Sequence, residues 1–148
     1  MAAGYNSGYY AQQSSDAQYR ANTDLANNAY GRLLSQQRGS RNLGGLQRNF
    51  NRQLPGFKSS WSQRGMAGPG IQSGTFQRSM ANYAGDYARD YGQAVEDNQN
   101  ELMGFDRNAA GIQSGLQQSL AGIEQNKQND IANAALMLEQ LRPYLGGL

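Results

Sequence analysis

Apolar residues in this chain fall into stripes at helical spacing, and the longest stripe occupies the second half. It runs from Phe76 through Met80, Tyr83, Tyr87, Tyr91, Val95, Leu102 and Phe105. It continues through Ala109, Ile112, Leu116, Leu120, Ile123, Ile131, Leu138, Leu141 and Leu145. Steps of three and four residues place these positions on one side of a helix. Ser73 is suited to cap its start. The spacing therefore predicts helix through most of 71–148, with a break near 104–111 where Gly104 and Gly111 stand. One bent helix and a helical hairpin satisfy the pattern equally.

The first half is more interrupted. Residues 1–14 mix Gly, Ala, Asn and Tyr without a period and read as an extended arm. A helix is expected over 15–38, opened by a capping box of Ser15 and Gln18, with Asp16 at its positive end. Ala17, Ala21, Leu25, Ala29 and Leu33 recur every four residues inside it, with Tyr30 and Leu34 alongside, and Gly39 is read as its stop. Residues 39–70 form an irregular basic linker in this reading. It holds a short helix marked by Leu43, Leu46, Phe50 and Leu54, ended by Pro55-Gly56. Phe57 and Trp61 follow, and then a compact turn at Gly68-Pro69-Gly70, which neither continues a helix nor suits a sheet. The fold class expected is all-α: extended long helices, as a helical hairpin or bent helix, with an N-terminal arm.

Composition makes the core thin. Apolar residues are 38% of the 148, against roughly 45–50% in ordinary soluble domains. Leu, Ile, Val and Phe together are 23 residues, below the ~20% that usually sustains a packed core. A net charge of +2 is too small for the self-repulsion that keeps disordered chains open. Order must then come from neighbours, and packing between copies is expected to complete the fold. Met1 to Gln13 contains no apolar run, so no signal peptide is expected, and no stretch approaches the ~20 apolar residues of a membrane span.

Cysteine and histidine are both absent, which removes disulfides, thiol and imidazole catalysis and the usual zinc sets. Asp86, Asp90, Asp97 and Glu101 could be taken for paired catalytic acids. Spaced along one helix with Arg89 among them, they read as a solvated, ion-paired face. No enzymatic activity, cofactor, metal or small-molecule substrate is expected. The ladder Tyr83, Tyr87, Tyr91 could stack nucleic-acid bases, but the surrounding acids would repel phosphate, so a helix–helix seam is the simpler reading. That seam is expected to hold Phe76, Met80, Tyr83, Tyr87, Tyr91, Val95, Leu102, Ile112, Leu116, Leu120, Ile123, Leu138 and Leu141.

Charge is divided between the halves: residues 1–74 carry eight bases and two acids, residues 75–148 five bases and nine acids. No acid occurs from Leu25 to Gly85. Arg32, Arg38, Arg41, Arg48, Arg52, Lys58 and Arg64 are candidates for contact with phosphate or with an acidic partner surface. No recognised nucleic-acid motif accompanies them, so any DNA contact would be non-specific and salt-sensitive. Gly65, Gly68 and Gly70 lack the strand and the Gly-Lys-Ser/Thr of a phosphate loop. Gly70-Ile-Gln-Ser-Gly74 recurs as Gly111-Ile-Gln-Ser-Gly115; a duplicated helix start would explain this, as would chance in a Gln/Ser/Gly-rich chain. The apolar closing segment from Ile131 to Leu141 lacks the basic face of a membrane-surface helix, so membrane contact is not expected, and docking into a partner's groove or a bundle core is the simpler reading.

The run Arg64-Gly-Met-Ala-Gly-Pro-Gly-Ile-Gln-Ser-Gly-Thr-Phe-Gln-Arg-Ser-Met-Ala, followed by Asn82-Tyr-Ala-Gly-Asp-Tyr-Ala-Arg-Asp-Tyr91, resembles minor virion proteins of tailed bacteriophages. In those, a glycine-rich turn introduces a long Gln/Ala/Tyr-rich helix. The resemblance covers about a third of the chain and is one of style more than of signature; it brings no catalytic residues. It implies a multi-copy structural protein at the head, portal, neck or tail, or an internal protein associated with genome ejection. It also implies other virion proteins and packaged DNA as partners, and a place in a virion assembled in the host cytoplasm. The alternative class is a non-specific nucleic-acid-binding protein acting through 32–64.

Overall fold

The structure, a computed structural model, describes the fold of residues 7–145, apart from the side chains of 71, 72 and 143–145. It is all-α in architecture: α1 (Ser7–Gln63) and α2 (Gly74–Leu145) are joined by a connector. The connector holds two strands of two residues each, β1 (Ala67–Gly68) and β2 (Ile71–Gln72), paired antiparallel with Gly68 opposite Ile71. By contacts the chain divides into two units, 30–105 and 1–29 with 106–148.

The connector is built from local rules. Gly65 adopts φ 70°, which a side chain resists but glycine accepts. Its amide donates to the Ser62 carbonyl at 2.9 Å and the next amide, Met66, donates to Trp61 at 3.1 Å. This pair of bonds is a Schellman motif, and it satisfies carbonyls that the end of α1 would leave open. Pro69 and Gly70 then turn the chain, with Gly70 at φ 84°, the pattern of a type II turn. The Ser73 amide donates back to the Met66 carbonyl, and the Phe76 amide donates to Ser73 Oγ at 3.1 Å. Ser73 is thus the N-cap of α2. Gly68 is itself paired and only Pro69 and Gly70 lie between the strands, although the sequence argued against any sheet at this place.

Within the unit 30–105 the two helices meet along a seam with a period of eleven. Trp61, Phe50 and Gly39 lie eleven apart on α1. They meet Phe76, Tyr87 and Asn98, eleven apart on α2. Eleven residues over three turns is about 3.67 per turn, near the 3.6 of an α-helix, so this face stays in phase with little supercoiling. In the other unit Ala17 and Asn28 on α1, and Ala109 and Leu120 on α2, hold the same period and are half-buried. There the buried Tyr10 donates its hydroxyl to Asp130, and Ala21 is buried.

Several sequence expectations change. The helix does not stop at Gly39 or at Pro55-Gly56, and 39–63 is helical throughout. Gly39 is a contact point, where lack of a side chain admits Asn98. Beyond Pro55, Phe57 and Trp61 are anchored on α2, which offsets the lost helical hydrogen bond. Residues 7–14 of the expected arm are helical, so Ser15 is not a cap; residues 1–6 lie outside the described residues. Helix α2 crosses Gly104 and Gly111 without a break. The repeated Gly-Ile-Gln-Ser-Gly lies once in the connector and cap and once inside α2, so it is not a duplicated helix start.

Ala29, Leu33, Tyr30 and Leu34 are exposed. A step of four residues turns 400°, so the stripe drawn from Ala17 to Leu33 drifts about 160° off the seam. The seam side instead advances through Ala17, Ala21, Leu25 and Asn28, mixing threes with fours.

Candidate interaction surfaces

Near the connector the seam is aromatic. Trp61 meets Phe76 edge-on at 6.1 Å between ring centres. Phe57 stacks on Tyr83 at 4.8 Å, and Phe50 stacks on Tyr83 at 5.2 Å and on Tyr87 at 4.3 Å. Tyr91 packs against Tyr87 at 5.8 Å. The tyrosine ladder is therefore occupied by phenylalanines of α1, and its rings are not a free stacking platform. Arg64 caps this end with its guanidinium 5.8 Å above the Trp61 ring, a cation–π contact.

Farther along the same unit the seam turns small and polar. The ring of Phe105 lies over Gly31, and Asn98 lies over Gly39. Ser35 is 2% exposed, and its Oγ and the Asn98 Oδ1 are buried without a hydrogen-bond partner. Such groups cost stability and are bearable only where they specify something, as polar residues in helical seams do for register.

The candidate seam residues divide by position. Phe76 is buried; Met80, Tyr83, Tyr87, Tyr91, Val95, Leu102, Ile112, Leu116, Leu120 and Ile123 are half-buried; Leu138 and Leu141 are exposed. Leu145 lies among the residues whose side chains are not described.

The candidate basic residues Arg32, Arg38, Arg41, Arg48, Arg52, Lys58 and Arg64 are all exposed. Arg41 and Arg52 are one eleven-residue repeat apart and Arg48 lies a turn from Arg52, so the three form a row on the side of α1 away from the seam. Arg38 lies at the edge and reaches Glu101 of α2 at 3.9 Å. The acids of α2 obey the same period: Asp86 with Asp97, and Asp90 with Glu101. They line the flank beside Arg38, where Arg89 also pairs with Asp86 at 2.6 Å. From Tyr30 to Arg64 there are seven bases and no acid; from Gly74 to Phe105 there are two bases and five acids. One unit thus carries a basic helix back and an acidic helix flank, which the sequence showed only as a difference between halves.

In the other unit Glu124 accepts from Gln128 Nε2 at 2.8 Å and pairs with Lys127 at 3.1 Å. These partners, Gln128 first and then Lys127, hold its carboxyl below its ordinary value of 4.5. A groove beside the connector is lined by Lys58, Ser62, Ala67, Gly68, Phe76, Gln77 and Met80, with Lys58 as its ionisable group. Among the described residues no three acids gather as a metal site, and no helix is long and apolar enough to cross a membrane. At the end of α2, the apolar closing segment that the sequence singled out, Ile131, Leu136, Met137, Leu138 and Leu141 are all exposed. A scan of protein-family models and searches of the curated proteins and of the solved structures find no match to this chain.

Proposed function

We propose that this chain is a non-enzymatic assembly protein that works in several copies, as a minor structural component of a tailed-phage particle. One observation carries the multi-copy reading. Among the described residues, the buried hydrophobic side chains are Tyr10, Ala21 and Phe76, and none is less than 2% exposed. A dozen large apolar side chains remain exposed, far from the ordinary interior of a monomeric domain. Two helices touching along one stripe leave their other faces to neighbours. The basic back of α1 and the acidic flank of α2 supply complementary surfaces for such neighbours, in a head-to-tail sense that closes into rings. The phage setting rests on the resemblance of residues 64–91. It puts the protein at the head, portal, neck or tail, with the rigid helices as its structural part.

Sedimentation velocity of the full chain across a hundredfold concentration range tests the multi-copy reading. A discrete oligomer is expected, and a cooperatively folding monomer at every concentration overturns it. Density for the two long helices in the map of a phage particle encoding this chain tests the setting.

The row Arg41, Arg48 and Arg52 favours a second reading, non-specific binding of nucleic acid. Three phosphate contacts would make log K fall with log salt at a slope of about −3. Absence of binding at low salt removes that reading.

A further inference from the structure

We infer that residues 131–142 of α2 are the association segment of this protein, buried against the same segment of other copies in a closed ring of three or more. The inference rests on the multi-copy reading and names its interface.

The apolar side chains of this segment lie open to solvent. Tyr10 of α1 is hydrogen-bonded to Asp130 of α2, and the described part of α1 begins three residues earlier, at Ser7. In antiparallel packing those three residues run to the level of Asn133. Ile131 is 39% exposed, and Leu136, Met137 and Leu138 are 57%, 56% and 63% exposed.

The apolar surface also goes around the helix. Ile131, Leu138 and Leu141 continue, in phase, the stripe that Leu120 and Ile123 present in the seam. Leu136 is two residues from Leu138 and therefore about 160° away on the helix. A helix apolar on opposite sides needs neighbours on both. One partner helix covers one side; a ring covers both, because each copy touches two others.

Charge selects the occupant. Residues 131–142 hold one acid, Glu139, and one base, Arg142, so identical segments meet without net repulsion. The stretch from Tyr30 to Arg64, with seven bases and no acid, could not meet its own copy in that way. The segment also carries the stripe to which a matching helix would pack, so it is its own complement. A lipid surface fits less well, because the polar side lacks a basic row.

The test uses the full chain and a variant with Leu136→Lys and Leu138→Lys. Both positions are more than half exposed, so the helical circular dichroism of the hairpin should persist. Sedimentation should show the wild type as a trimer or larger, and the double variant as a monomer at concentrations a hundredfold above those at which the wild type assembles. Leu33→Lys, the same change at an exposed leucine of α1, should leave assembly intact. If the double variant assembles as the wild type does, the interface lies elsewhere and only the multi-copy reading survives. A wild type that stops at a dimer, or a Leu33→Lys chain that dissociates equally, overturns the ring of 131–142. A wild type that is always monomeric, whether or not it binds phosphatidylcholine/phosphatidylglycerol vesicles, overturns both the segment and the reading.

Discussion

Asn98 occupies the space that a Cβ on Gly39 would fill, with its amide nitrogen 2.7 Å from that position. The pair makes this approach of α1 to α2 conditional on a missing side chain. Gly39→Ala should therefore destabilise the hairpin. Overpacking costs about 1–3 kcal/mol, and it outweighs the ~1 kcal/mol that alanine gains over glycine inside a helix. In an Asn98→Ala background the same change should become stabilising, since the obstacle is gone and only the helix preference remains. Urea unfolding of the four members of this cycle measures the reversal. Gly85→Ala, at an open and exposed site, should stabilise in both backgrounds.

Phe50 stacks on both Tyr83 and Tyr87, so it joins more of the aromatic seam than its half-buried position suggests. Phe50→Ala should cost about 2–3 kcal/mol, less than the 3–5 typical of full burial, with two stacked pairs lost. The near-ultraviolet dichroism should lose intensity along with it. An unchanged unfolding midpoint would show that the aromatic end contributes little.

The seam of α2 from Phe76 to Ile123 was legible because its threes and fours keep a helical face in phase, and the Ser73 cap was legible because capping is local chemistry. What failed to show was whatever the opposite helix decides. Gly39 and Pro55 carry a local preference against helix, yet the contacts of Asn98, Tyr83 and Phe76 override it. Nothing near Gly39 in sequence announces a residue 59 positions later. Ala29 and Leu33 misled for a simpler reason, since a row of fours suggests a face but winds off it. The end of α2 is composed like a core, and it is the fold that leaves its leucines open to solvent.

The connector makes a sharper prediction about glycine. Gly65 sits at φ 70° as the residue closing α1, so Gly65→Ala should cost about 1 kcal/mol through strain in the left-handed region. Ser73→Ala removes the oxygen that caps Phe76 and should cost about 1 kcal/mol as well. Hydrogen exchange should report both changes as faster opening of 61–77. Gly56→Ala, in α1 with open space around it, should act in the opposite direction and stabilise.

Glu124 supplies a pH dependence of known sign. Gln128 and Lys127 stabilise its charged form, so its carboxyl titrates below the ordinary 4.5. A group with a depressed folded pKa contributes stability above its unfolded value and loses it as pH falls through the folded one. Helix stability around 120–131 should therefore decline as the solution is acidified below pH 4.5. A carboxyl titration followed by NMR should place Glu124 below the ordinary 4.5. Gln128→Ala should move it back toward the ordinary value.

Pro55 is the one proline inside α1, and its lack of an amide proton removes a helical hydrogen bond to Asn51, four residues before it. A proline in a helix interior costs about 3 kcal/mol relative to alanine. The helix nevertheless runs eight residues farther, because Phe57 stacks on Tyr83 and Trp61 meets Phe76 beyond the break. Pro55 itself is exposed, so replacing it removes no seam contact. Pro55→Ala should thus raise the unfolding free energy by about 1–3 kcal/mol, and it should do more: once the backbone no longer opposes the helix, the aromatic anchors have less to overcome. Trp61→Ala should then unfold the last two turns of α1 in the wild type but leave them helical in Pro55→Ala, as amide exchange over 56–63 would report. Equal protection in both backgrounds would mean that the aromatic contacts do not hold the helix past the proline.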